Sequence, residues 1–447
     1  MRVVKAFAAL LALCGCVTTE APDRRALNAG ALPETAVFRA ARPAPPARSN
    51  AQMARDFLDL SFEMESGREL SGMSRFEGPI TVAITPGAPP SLSADLDRLL
   101  SRLRGEAGID ITRTDGQAAI TIETLPRARM QRIVPQAACF VVPRVSSWTE
   151  FRNARGSSLL DWTTLTTRER VAIFIPSDVP PQEIRDCLHE ELGQAIGPLN
   201  DLYRLPDSVF NDDNFHAILT GFDMLMLQVY YSPDLASGMS RDAAAERVPG
   251  ILARLNPRGA GGGSVPLAST PRDWVTLIET ALGGNATAPA RQAAMRDALQ
   301  VAQSRGWSDT RLGFAYFALG RLSLGQDQSA ASALTAFQAA GAVFDRLDPG
   351  GIHAAHVDMQ LAAFALSAGD GPGAIRLTEA ALPAARRAEN AALMATLMMI
   401  QAEALTLTGR TSEAQSVRID SLRWARYGFG DSDTVAARMA EIAALTQ

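Results

Sequence analysis

The residues best suited to chemistry lie close together between Cys187 and Asp201: His189, Glu190, Glu191, Gln194, Asn200 and Asp201. Carboxylates can take up a proton or hold a cation, and an imidazole can do either. Amides make poor zinc ligands but suit harder cations. The segment PPQEIRDCLHEELGQAIG (180–197) carries most of these residues on a predicted helix, with Pro near its start and Gly at its end. Signals elsewhere are weaker. His353 and His356 stand three apart before a helix and are read as surface or core histidines rather than a metal pair. GAGGG (259–263) follows no strand and lacks a lysine, so it is not a phosphate-binding loop. No serine nucleophile elbow is evident. The Met and Leu stripe of DMLMLQ (223–228) reads as core packing.

The elements that must position these residues alternate in type. PITVAITP (79–86) reads as a strand, and SLSADLDRLLSRLRGEAG (91–108) as a Ser-capped amphipathic helix with Leu96, Leu99, Leu100 and Leu103 on one stripe. IDITRT (109–114) and AAITIETL (118–125) flank Asp115-Gly116, a favoured hairpin turn, and are expected to pair. ACFVVPRV (138–145) and RVAIFIP (170–176) are further strands, and HAILTGFDMLMLQVYY (216–231) is a helix after the 180–197 helix. The order β-α-β-β-β-β-α-α predicts an α+β domain in which helices cover one mixed sheet.

The chain opens MRVVKAFAALLALCGC, with Arg2 and Lys5 ahead of an apolar run from Ala6 to Gly15. That run falls short of the roughly 20 residues a spanning helix needs and reads as the core of a signal peptide. Leu13-Cys14-Gly15-Cys16 resembles the bacterial lipobox. The resemblance implies that Cys16 is diacylated and anchors the protein to a membrane, each buried CH₂ adding about 0.8 kcal/mol. Val17 stands where Asp would resemble an inner-membrane retention signal, which favours the outer membrane, facing the periplasm. Residues 1–16 are then signal and lipobox, and the Pro-, Ala- and Arg-rich 17–50 a flexible tether. With Cys16 lipidated, Cys139 and Cys187 remain, and an oxidising compartment predicts a disulfide between them. A net charge of −5 argues against nucleic acid as a partner.

The 190–201 stretch resembles the metzincin zinc-peptidase signature H-E-x-x-H-x-x-G-x-x-H, in which two histidines share a helix face and the Glu activates water. Glu190 takes the first histidine slot, Glu191 the base slot, Gln194 the second histidine slot, Gly197 the turn and Asn200 the third ligand slot. Ser208-Val209-Phe210-Asn211 resembles the methionine turn with Phe210 in place of Met, and Leu219 to Tyr230 resembles the closing helix of matrixin-type members. The resemblance covers roughly 76–232. FLDLSFEMESGREL (57–70), HEELGQ and FND are also similar to a family of bacterial predicted lipoproteins whose domain has no assigned function.

Substitution of every imidazole in the triad implies a domain that no longer cleaves. A frame shifted to His189-Glu190 meets Gly193, which offers no side chain, and His216 is the only other histidine of the domain. No cofactor is expected, with zinc or another divalent cation as the alternative that would make this an active hydrolase using Glu191. Either Asn200, Asp201, Asn211, Asp212 and Asp213 supply caps and turn bonds while Gln194 satisfies buried backbone groups, or Glu190, Glu191, Gln194, Asn200 and Asp201, with His189 as a further candidate, line the old cleft and bond a ligand.

The α+β domain is placed at 51–240, a linker rich in Gly and Ser at 241–270, and an Ala-rich helical domain at 271–447. In the last, turns at Gly325, Gly369 to Gly371 and Gly409 recur about every 40–44 residues between paired helices. They resemble tetratricopeptide-type hairpins, although the period exceeds the usual length of about 34 residues. The resemblance implies a protein or peptide partner. Trp274, Trp307 and Trp424 are expected to pack between helices. The chain is thus expected to act in envelope binding or scaffolding.

Overall fold

A computed structural model describes residues 48–261, 267–324 and 330–446, together with Phe38 and residues 44–46. The signal, Cys16, nearly all of the tether and the Gly325 turn lie outside the described residues. The chain divides into two compact units, one of residues 42–270 and one of residues 1–41 with 271–447.

The first unit begins with α1 (Asn50–Phe62), capped by the Ser49 hydroxyl. It continues with β1 (Ile80–Ile84), α2 (Pro90–Glu106), β2 (Ile111–Arg113), β3 (Ile120–Leu125), α3 (Arg127–Gln131), β4 (Phe140–Pro143), α4 (Trp148–Ala154) and β5 (Val171–Pro176). It closes with α5 (Pro181–Ile196), α6 (Gly221–Tyr230) and α7 (Arg241–Leu255). The sheet runs β2-β1-β3-β5-β4. All pairings are parallel except that of the edge strand β4, which is antiparallel to β5.

The expected hairpin between 109–114 and 118–125 does not form. β2 and β3 lie on opposite edges of β1, each parallel to it. Ile80 and Val82 of β1 are fully buried, so this strand needs a partner on both sides. The six residues 114–119 can stretch about 20 Å, ample to step across two strand spacings of about 4.8 Å each. The turn dipeptide therefore serves a crossing rather than a hairpin.

Every residue of β5 is buried. Val171, Ile173 and Ile175 enter the main core, with the leucines of α2 and the apolar faces of α1, α5, α6 and α7. Ala172 and Phe174 face the other way, into a second core with Trp148 and Phe151 of α4. Burial on both faces explains the unbroken apolar run of this strand. The stripe Leu96, Leu99, Leu100 and Leu103 is buried as its helical spacing requires. The 241–270 linker needs correction at its start: residues 241–255 form α7, which buries Val248, Ile251 and Leu252. Asn50 of α1 bonds the carbonyls of Leu252 and Asn256, fastening α7 to α1.

The described residues of the second unit from 272 onward form only helices and the turns between them. Its described helices are α8 (Arg272–Leu282), α9 (Ala288–Ser304), α10 (Thr310–Leu324), α11 (Ala330–Leu347), α12 (Ile352–Ser367), α13 (Gly371–Arg387), α14 (Ala391–Leu407), α15 (Thr411–Phe429) and α16 (Ser432–Ala443). The pairs α10–α11, α12–α13 and α14–α15 pack most extensively. Glycine permits the closest of these crossings: a Cβ on Gly313 would meet the Phe344 ring at 2.5 Å, and one on Gly320 the Phe337 ring at 2.8 Å. Gly369 and Gly409 hold positive φ of 79° in the turns after α12 and α14, a conformation that favours glycine. Trp274 and Trp307 are buried edge-to-face at 5.4 Å. No helix among the described residues is long and apolar enough to cross a membrane.

Candidate functional site

Helix α5 carries the candidate residues, and its position is fixed at several points. Cys187 on α5 is joined to Cys139, just before β4, as the cysteine count predicts. The two residues are 48 apart in sequence, and closing such a loop restricts the unfolded chain by roughly 2–4 kcal/mol. At the C-terminal end, where helix carbonyls lack internal partners, the buried Arg168 donates to the carbonyls of Gln194 (2.6 Å), Ala195 (2.8 Å) and Gly197 (2.6 Å). The Tyr231 hydroxyl donates to the carbonyl of Ile196 at 2.8 Å. A Cβ on Gly197 would meet the end of the Leu227 side chain at 2.7 Å, so the chain leaves the helix in close approach to α6.

The segment after α5 then returns beside α1. The Leu199 N–H donates to the carbonyl of Leu60, and the Asn200 amide to that of Asp59 at 2.9 Å. Arg204, almost wholly buried, donates to Asp56 and Asp59, and each of these carboxylates takes a second arginine, Arg48 and Arg241 respectively. The turn at Ser208 to Asn211 passes beneath α5. A Cβ on Gly193 would stand 2.8 Å from Phe210, so that ring lies directly against the helix.

Asp223 ties this turn to α6. Its carboxylate accepts from the Ser208 hydroxyl and from the N–H groups of Val209 (3.1 Å) and Thr220 (2.8 Å), completing a capping box. Burial pushes its carboxyl up to about 6, against the lowering effect of these bonds. A raised folded pKa means that the folded state holds the proton longer than the unfolded state. The associated stability is present below about pH 4 and is lost as pH rises through 6. The stability of wild type relative to Asp223→Asn should thus fall by roughly 2–3 kcal/mol between pH 4 and pH 7. Urea unfolding at both values checks this.

The catalytic-type residues separate into two groups. His189 faces the interior, where its Nδ1 accepts the Leu219 N–H at 3.1 Å. Burial, reinforced by Arg185, Arg102 and Arg98, holds its imidazole well below its ordinary pKa, so it is neutral. Asn200 is engaged with the α1 backbone. Glu190, Glu191, Gln194 and Asp201 instead come together, joined by Glu65 and Asp212. The Gln194 amide nitrogen lies 3.3 Å from Glu65 Oε1 and 3.2 Å from Asp201 Oδ2 and donates to both. Glu191 forms the buried floor, at 4% exposure, and its Oε2 has no hydrogen-bond partner among the described residues; nor does Asp201 Oδ1. Glu190 and Asp201 are half-buried, and Glu65 and Asp212 stand at an exposed rim.

The electrostatics agree with this clustering. Burial first, then Asp212, Glu65 and Asp186, pushes the Glu190 carboxyl up to about 8. Burial, then Glu190 and Glu65, raises Glu191 well above the carboxylate range. Asp201 is raised by burial, then by Asp212, Glu65 and Glu190, and further by a hydrogen bond with Glu65. The Cys139 sulfur also lies within 4.8 Å of the Glu190 and Glu191 ligand atoms, but the disulfide removes it as a thiolate.

Glu65 and Asp212 were not among the site candidates from sequence. They lie in the FLDLSFEMESGREL and FND stretches that carried the family likeness, the only signal that could have pointed to them.

These features define a mixed α/β domain with an acidic, solvent-open site on a disulfide-held helix. Residues 50–250 match the model of a family described as a protein of unknown function (DUF2927). No curated protein matches the chain.

Proposed function

We propose that this chain is a lipoprotein of the cell envelope, anchored through Cys16 to the outer membrane and facing the periplasm. Its first unit is a metzincin-like domain that has lost peptidase activity. This domain binds an extended peptide along the edge strand β4, whose outer edge offers main-chain groups for strand addition. The tetratricopeptide-like hairpins of the second unit bind a protein partner, and together the units scaffold an envelope assembly.

The observation that carries this reading is the fate of the three ligand slots. Zinc in a catalytic site takes three nitrogen, sulfur or carboxylate ligands. Here Glu190 is the sole ligating group of suitable type, the Gln194 amide is engaged with Glu65 and Asp201, and the Asn200 amide with the Asp59 carbonyl. His189, the nearest imidazole in sequence, has one ring nitrogen bound to a backbone amide. The order of strand, helix, strands, signature helix and closing helix supports the metzincin likeness, as does Phe210 beneath Gly193.

Incubated with a mixed peptide library, the purified full chain should cleave nothing beyond background, and Glu191→Ala should behave identically. Cleavage by wild type that disappears in Glu191→Ala would establish the competing reading, an active metal-dependent hydrolase.

A further inference from the structure

We infer that Phe38 is a latch: its ring docks on Trp424 of the second unit and holds the N-terminal arm there, shortening the reach from Cys16 to the folded body. Residues 17–50 are rich in Pro, Ala and Arg, and Phe38 is their one aromatic residue. An arm that served only as a spacer would leave that ring in water. Instead Phe38 is 7% exposed, and its ring centroid lies 4.5 Å from that of Trp424 with the planes tilted by 36°. Both residues belong to the same compact unit.

Trp424 lies on α15 and is half-buried. Trp274 and Trp307 are buried against each other within the unit. Trp424 instead meets a ring that arrives from the far end of the chain. Aromatic pairs at this separation attract beyond the area they bury. Burial of a phenylalanine side chain together with such a pair favours the docked state by roughly ten- to a hundredfold.

The same segment is fixed again at Arg48, within the α/β unit. The Arg48 guanidinium bonds Asp56 and Asp207 and lies 4.1 Å over the Phe222 ring. With Phe38 docked, the arm from Cys16 ends at residue 37. With Phe38 released, it runs on to residue 47, and the added residues extend by up to about 35 Å. The latch therefore sets one of two arm lengths.

The consequence for reach rests on the proposed lipid anchor at Cys16, but the docking does not. Absence of lipid on Cys16 would remove the anchor and leave the latch, whereas an undocked Phe38 would remove the latch and leave the anchor.

The test is limited trypsin digestion of the purified full chain, with cleavage sites followed by mass spectrometry. A protease draws the residues around its target bond into an extended form. Trypsin therefore cuts between Arg39 and Ala40 only when Phe38 is released, at a rate that follows the released fraction. Cleavage at this bond is expected to be about tenfold or more faster in Phe38→Ala and in Trp424→Ala than in wild type. Cleavage after Arg24 and Arg25 should be unchanged, and Phe38→Tyr, which keeps the ring, should stay close to wild type. Phe38→Ala alters no residue of the helices and guards against misfolding of Trp424→Ala, which circular dichroism monitors. Equal rates after Arg39 in wild type and both alanine variants would overturn the inference. Wild-type cleavage that slows as the protein is concentrated would show the seat filled by Phe38 of a second copy, and would overturn the latch within one chain.

Discussion

Replacing Arg168 by methionine should destabilise the α/β unit by about 3 kcal/mol or more, because it strips partners from three buried carbonyls at once. The guanidinium of Arg168 is 2% exposed and serves the last carbonyls of α5 through Gln194, Ala195 and Gly197. It also lies over the Trp162 ring at 5.1 Å and donates to Ser74. Tyr231 also reaches that helix end, donating to the carbonyl of Ile196. Lysine carries the charge but not the planar fork, so Arg168→Lys should recover only part of the loss. Two units in one chain make a single melting temperature ambiguous. Hydrogen exchange on the α5 amides is therefore the direct readout. Faster exchange confined to α5 and its neighbours is expected; unchanged protection would show that the helix end is held by something else.

A loss of about 3 kcal/mol is likewise expected for Arg204→Met, for a different reason. Arg204 bridges two carboxylates, bonding Asp56 at 2.8 Å and Asp59 at 2.8 Å, both nearly buried. Removing one partner from a buried ion pair leaves charge without compensation. Arg48 and Arg241 remain beside Asp56 and Asp59, which keeps the loss toward the lower end of such cases. Adding Asp59→Asn to Arg204→Met removes one of the orphaned charges and should restore part of the stability. Urea unfolding of wild type, single and double variants measures this. If the double variant is less stable than Arg204→Met by the full cost that Asp59→Asn has alone in wild type, the coupling does not exist.

Much of this domain is legible where the information is local. The helix α5 follows from Pro181 and Gly197 at its ends, and the grouping of Glu190, Glu191 and Gln194 follows from their spacing on that helix. The Cys139–Cys187 bond follows from counting cysteines, since these are the two that remain once Cys14 and Cys16 are read as part of the signal and lipobox. Other features depend on chain segments meeting from far apart in sequence, and no periodicity announces them. Glu65 completes the acidic site from a turn after α1, and Asp212 from a loop that reads as ordinary turn chemistry. Arg168 and Arg204 look like surface arginines in sequence, since arginine is seldom buried; only the tertiary fold reveals the carbonyls and carboxylates they serve. The 109–125 hairpin went astray for a related reason. Asp115-Gly116 favours a tight turn, but pairing β2 with β3 would leave one edge of the buried β1 without a partner. The second unit reads well because each helical pair packs locally and its turns carry glycine at positive φ.

The helix that resembles a zinc-peptidase signature is proposed to hold no zinc. The most direct measurement is the zinc content of the purified full chain, by elemental mass spectrometry after passage over a weak chelating resin in zinc-supplemented buffer. Only trace zinc, equal in wild type and Glu190→Ala, is expected. Stoichiometric zinc retained by wild type and lost from Glu190→Ala would contradict the non-catalytic reading of this helix.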